Sequence, residues 1–150
     1  MMTTLKTLLV LLASTLFLFS FNAQAKDDVG KYSIESLLKS SKAKEVLLAD
    51  VALYFGEQSY PKAAETYGEV MSNKKTNAFM KSDTEACEWV MLSALIALQE
   101  RAKREGMNAV VNIQSYYKKR DFISATEFEC GAGNIMAGVT LKGTLVEIAK

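Results

Sequence analysis

Residues 82–150 read SDTEACEWVMLSALIALQERAKREGMNAVVNIQSYYKKRDFISATEFECGAGNIMAGVTLKGTLVEIAK, and this stretch decides the fold. Ser82 and Glu85 have the spacing of a capping box, in which serine oxygen and glutamate carboxylate satisfy two orphan amides. Behind them Cys87, Val90, Met91, Ala94, Ala97, Leu98 and Ala102 recur at three and four residues, an amphipathic helical stripe. Trp89, Leu92 and Ile96 widen it, so the first turns are apolar over most of their circumference. Such a helix is covered twice within its own domain, or covered once and paired with a partner. From Gln99 to Glu105 the helix turns polar, with Arg101, Lys103 and Arg104 where cations favour a C-terminus. Gly106 ends it as a residue free to take positive φ.

After the glycine the period changes to two. Asn108–Tyr117 alternates, with Ala109, Val111, Ile113 and Tyr117 on one face and Asn112 and Gln114 on the other. Lys118-Lys119-Arg120-Asp121 is a basic turn. Thr126–Cys130 alternates again, with Phe128 and Cys130 on one side and Glu127 and Glu129 on the other. Cys130 therefore points to the side a helix covers, and Cys87 lies on the helix stripe. A Cys87–Cys130 disulfide between helix and sheet is expected. Gly131-Ala132-Gly133-Asn134 is a turn, and Ile135–Ile148 a last strand. Gly138 and Gly143 within it mark a bulge or a close backbone approach.

Upstream the signals weaken. Glu45–Phe55 is read as a strand ending at Gly56, with a helix as its rival because Ala and Leu are common in it. Gly56–Lys81 is read as a long loop, 56–81, holding the sole proline, Pro61, a helical turn at 62–67 and an exposed Asn73–Asn77 segment. A loop of that length is often functional or mobile. Residues 26–44 are read as a polar N-terminal arm, with a short helical turn around Ile34, Leu37 and Leu38. The order is thus β, loop, α, β, β, β: a single α+β domain at 45–150, one long helix packed on a small antiparallel sheet.

The first 25 residues are of another kind. Lys6 gives a short positive region, Leu8–Phe21 is almost wholly apolar, and Ala23-Gln24-Ala25 is the small-x-small pattern of a signal-peptidase site. A secretory signal peptide is expected at 1–25, cleaved between Ala25 and Lys26. The apolar run falls short of the roughly 20 residues a spanning helix needs, so no stable membrane span is expected after leader removal. Export places the chain in an oxidising compartment, the periplasm or outside the cell, where two cysteines pair.

Composition narrows the function classes. The 150 residues carry 18 Lys+Arg, 17 Asp+Glu and no histidine. Losing Lys6 with the leader leaves cations and acids equal, which argues against nucleic acid as a partner. Without histidine there is no Ser-His-Asp or Cys-His site, and a zinc site lacks its usual ligands. Gly131-x-Gly133-x-x-x-x-Gly138 is glycine-rich but lacks the Gly-Lys-Ser/Thr of a phosphate-binding loop and is flanked by strand patterns on both sides. Glu127 and Glu129 share a strand face, the remaining carboxylate pair worth weighing for acid–base work. Tyr116, Tyr117 and Lys118-Lys119-Arg120 are weighed against phosphate and bases, and read as a solvated hairpin tip.

The runs Leu98-Gln99-Glu100-Arg101-Ala102, Gly106-Met107-Asn108-Ala109-Val110-Val111-Asn112-Ile113, Glu129-Cys130-Gly131-Ala132-Gly133 and Met136-Ala137-Gly138-Val139 resemble a family of small exported proteobacterial proteins often labelled excinuclease ATPase subunits. The missing nucleotide motif makes that label physically untenable for this chain. More distantly, the helix followed by Gly-x-Asn-Ala-Val-Val is similar to the YbjQ type of domain, a small α+β fold associated with heavy-metal binding and ring oligomers. The sensor lipoprotein of the Rcs envelope-stress relay has a similar core with disulfides. This chain lacks that sensor's lipid-bearing cysteine and has two cysteines rather than four. The resemblance implies a fold and a compartment, and no catalytic residue. The expectation is a non-enzymatic periplasmic interaction module without cofactor, tied to envelope homeostasis or stress sensing. Its partner would be an envelope protein, or a second copy met through the helix. The alternative is a metal- or small-ligand-binding domain of YbjQ type.

Overall fold

The computed structural model describes residues 26–149. The expected leader, with Ala25, lies outside the described residues. Strand β1 spans Asp28–Ser33, helix α1 Ile34–Lys39, helix α2 Ser41–Val46 and strand β2 Ala52–Phe55. Strand β3 spans Ala63–Asn77, helix α3 Asp83–Arg104 and strand β4 Ala109–Ser115. A 3₁₀ turn at Tyr117–Lys119 precedes β5, Glu127–Ala132, and β6, Met136–Ile148.

Helix α3 forms for the expected reasons. Ser82 Oγ accepts the Glu85 N–H at 3.1 Å, and Asp83 and Glu85 place negative charge in the first turn. At the far end Met107 N–H donates to Ala102 O at 2.8 Å and Gly106 N–H to Lys103 O at 3.1 Å. With Gly106 at φ 75°, this is a Schellman stop. Its apolar stripe is covered twice. One side faces the sheet, and the other meets α2 and the Leu48 and Val51 backbone. Gln99 is not part of the polar end. It is 1% exposed and fixes the 47–51 segment. Its Oε1 accepts Leu48 N–H at 2.8 Å, and its Nε2 donates to Leu48 O at 2.9 Å and Val51 O at 2.8 Å. Most of the stripe is thus buried inside the domain, while Trp89 on the same helix stays 37% exposed.

The sheet is six-stranded and mixed, not small and antiparallel. β6 is its spine. β3 lies antiparallel along one whole edge, from Ala63 opposite Ile148 to Asn77 opposite Met136. β5 and β4 share the other edge, β5 beside Ala137 and Gly138, β4 beside Leu141–Val146. β1 extends the sheet antiparallel to β5, and β2 extends it parallel to β4. A parallel pair needs a crossover, and β3 with α3 supplies it. The main core holds Val90, Met91, Leu95 and Leu98 of α3 against Val110, Ile113, Phe128, Leu141 and Leu145. A smaller cluster, Ala109, Val111, Val146 and Ile148 with Tyr54, is separate from it. Asn112 separates them: at φ 52° it forms a bulge between Val111 and Gln114. The simple alternation expected for β4 breaks there, and Ile113 joins the main core while Val111 does not.

Three upstream readings are corrected. Residues 26–44 are not an arm. β1 completes the sheet, and serines cap two short helices: Ser33 Oγ accepts Ser36 N–H, and Ser40 Oγ accepts Ala43 N–H, both at 3.1 Å. The expected turn around Ile34 and Leu37 exists, and both side chains are buried. Glu45–Phe55 is not one strand. α2 ends at Val46, and only Ala52–Phe55 pairs. Asp50 is exposed and meets Lys103 at 2.8 Å. Residues 56–81 are mostly strand, not loop, because β3 pairs with β6 over nearly all its length. Being an outer strand it keeps polar side chains on both faces, which erases the alternation that marks a half-buried strand.

Candidate functional site

The expected staple is present. Cys87 and Cys130 form a disulfide with Cα atoms 5.9 Å apart, and both residues are fully buried. It ties the first turns of α3 to the middle of β5. Among the described residues no thiol is left free.

The glycines of the β5–β6 hairpin make a second feature. Gly131 and Gly138 stand directly opposite each other. A Cβ on Gly131 would lie 1.9 Å from Tyr117 Oη, and one on Gly138 3.6 Å from the Tyr117 ring. The pair is therefore a notch that receives the tyrosine ring. Gly133 lets the Lys26 carbonyl pass, 2.9 Å from where its Cβ would stand. The glycine pattern in the sequence thus serves close backbone approach, as its strand context implied.

Beside this notch runs an open groove of about 600 Å³, bounded by Tyr117, Met136, Gly138 and Thr140, and by Asn73 and Lys75 of β3. Two of its lysines are already engaged. Lys26 Nζ meets Asp83 at 2.7 Å and Lys118 meets Asp27. The carboxylate hydrogen bonds raise both amines above their ordinary range. At the rim the chain exposes large apolar side chains. Phe79 is 63% exposed, Met80 90%, Ile135 64% and Met136 48%. Ala78 N–H donates to Ile135 O at 2.7 Å, so these four sit at one end of the sheet. Met80 takes φ 59° in a turn closed by Lys81 N–H to Ala78 O. A non-glycine residue in that region costs roughly 1–2 kcal/mol. Strain and unburied methionine together are features that collect at binding surfaces.

The third feature is β3 itself. It pairs with β6 on one edge and with no strand on the other among the described residues. Tyr67 and Met71 on it are 46% and 61% exposed. An open strand edge is a template for another chain. The sequence reading missed it by treating 56–81 as loop. The available signal was length, since structureless loops of that size are uncommon in compact domains.

The remaining expected residues are placed as follows. Glu127 is exposed, and Glu129 lies half-buried opposite Lys31 with one carboxylate oxygen unpartnered. The Glu129 backbone N–H donates to Ser115 Oγ at 2.9 Å. Lys142 joins Asp121 at 2.7 Å beneath the Tyr116 ring, and Gln114 donates to the same carboxylate. Among the described residues no three cysteine or carboxylate side chains converge on a metal-sized point, and no helix is long and apolar enough to cross a membrane.

These features define a class: a mixed α+β domain, mostly sheet, with one long helix stapled to it by a disulfide and one long strand edge left open among the described residues. No family model, no curated protein and no solved structure matches the chain.

Proposed function

We propose that this chain is an exported, non-enzymatic interaction module that receives an extended segment of another polypeptide along β3. The open edge of that 15-residue strand carries the reading. Backbone amides and carbonyls on a free edge supply affinity to any extended chain, and neighbouring side chains supply specificity. The apolar rim at Phe79, Met80, Ile135 and Met136 adds a surface of the kind that marks protein contacts. A buried disulfide supports an oxidising location, and with the expected leader that location is the periplasm. The kinship to YbjQ-type domains and to the Rcs-relay sensor belongs to this proposal, and with it a role in envelope homeostasis or stress sensing.

A photo-activated residue placed at Met71 or Phe79 in growing cells tests it, with Lys44 on α2 as the control position. The reading expects discrete adducts from the first two sites and none from Lys44, in the periplasmic fraction. Equal adducts from all three positions, or none from any, count against it. The runner-up, small-ligand binding, has the groove beside Tyr117 in its favour. Calorimetric titration with Zn²⁺, Cu²⁺ and Ni²⁺ addresses its metal version, which absence of heat in both oxidised and reduced protein would end.

A further inference from the structure

We infer that the segment received by β3 is the β3 of a second copy, antiparallel about a two-fold axis at Ser72. This names the partner of the open edge and rests on the reading of that edge as the docking element.

The register follows from three observations. First, a bulge between Thr66 and Gly68 bends the strand, and beyond it Gly68–Asn77 pairs with β6 without interruption. Bulges twist an edge away from partners, so the straight run after it is the part open to pairing. A two-fold axis at Ser72 sets Gly68 opposite Thr76 and uses almost all of that run.

Second, the charges are arranged head to tail. Glu69 precedes the centre of the run, and Lys74 and Lys75 follow it. No ion pair among the described residues uses any of the three. In a symmetric antiparallel pair each outward-facing residue meets one of the same parity, so the axis passes through a residue rather than between two. An axis at Met71 sets Glu69 against Asn73, and one at Asn73 sets it against Asn77. An axis at Ser72 sets Glu69 against Lys75, twice by symmetry. Both stand on one sheet face, because their β6 partners are Thr144 and Gly138, an even number of residues apart.

Third, Ser72 is 6% exposed and its hydroxyl has no hydrogen-bond partner. In this register the two Ser72 residues face each other. A turn about χ1 offers each hydroxyl its twin, a recurrent cross-strand pair. Met71, 61% exposed, lies diagonally across the axis from its own copy and loses water there.

The test is the mass of the natively exported, oxidised protein by sedimentation over a concentration series. A shift from monomer to dimer mass is expected. Lys75→Glu sets two acids opposite each other at both ends of the ladder and should weaken the dimer about tenfold. Adding Glu69→Lys should restore it, which a general loss of fold would not allow. Ser72→Cys should trap a covalent dimer under mild oxidation, whereas Val70→Cys, four residues out of register with its twin, should not. A monomer at every concentration overturns the inference. So does failure of the charge swap to rescue, or trapping through Val70→Cys in place of Ser72→Cys. A monomer that still gives Met71 adducts to other proteins refutes the self-pairing alone. A monomer without adducts removes the docking reading as well.

Discussion

Opening the Cys87–Cys130 bond should remove a large share of this domain's stability. The bond closes a loop with a sequence separation of 43. In the chain-entropy account a loop of that size restricts the unfolded chain by about 4 kcal/mol. A small domain holds roughly 5–15 kcal/mol in total. Reduction isolates this effect, while replacing both cysteines by alanine adds no polar atom but also leaves the cavity of two fully buried sulfurs. Cys87→Ser should do more harm, because it also buries a hydroxyl beside an unpaired thiol, at roughly 1–3 kcal/mol. Urea unfolding of the oxidised protein, the reduced protein and the double-alanine variant is the assay. With a slope of about 1.5 kcal/mol per molar, the midpoint should fall by about 2–3 M on loss of the bond. The double variant should unfold at or somewhat below the midpoint of reduced wild type. If all three unfold together, the staple contributes nothing and the reasoning fails.

Three further outcomes follow from the packing. Gln99→Leu leaves the Leu48 amide and the Val51 carbonyl without partners, and leaves the Leu48 carbonyl only the Val51 N–H at 3.4 Å. It should cost about 3 kcal/mol or more in urea unfolding, and a loss under 1 kcal/mol would show that the segment is not held there. Gly131→Ala places a methyl group on the Tyr117 ring. The ring resonances of Tyr117 should shift by NMR, and Tyr117→Ala should recover stability lost in Gly131→Ala; unchanged resonances would contradict the notch. Stability should also fall at alkaline pH. Lys26, Lys118 and Lys142 have pKa values raised above 10.5 by carboxylate hydrogen bonds. Amines raised in the fold stabilise it fully below their unfolded value and cease to do so as pH climbs through the folded one. A melting temperature flat from pH 9 to beyond 11 would show that these exposed contacts add nothing.

The half of the chain that was legible is the half with a clear period. α3, its Ser82 start and its Gly106 stop follow from local chemistry that tertiary packing did not overrule. The cysteine pairing followed from strand parity, because Cys130 and Phe128 share a face that the helix covers. β3 and β1 were hidden for the opposite reason. β3 is covered on one face only, where Val70 packs on the core and Ser72 is buried, and it carries Glu, Lys, Asn and Thr where an inner strand carries Val and Ile. Helix α1 was legible from the spacing of Ile34, Leu37 and Leu38, whereas α2 was obscured by the serine that caps it, since Ser40 reads as loop chemistry until its oxygen is seen accepting an amide. Gln99 misled because a glutamine on a helix reads as solvent-facing unless its backbone partners are known. The proposed docking surface lies in these illegible parts, where the edge of a sheet is a property of pairing and not of any residue pattern.

Amide hydrogen exchange along residues 68–76 tests the central claim most directly. In dilute oxidised protein the amides of β3 that do not face β6 should exchange quickly, in alternation with slow ones. On concentration, or with a bound partner segment, the fast set should become protected. Uniform protection at every dilution would mean that the edge is already covered, and fast exchange that never slows would mean that nothing pairs with it.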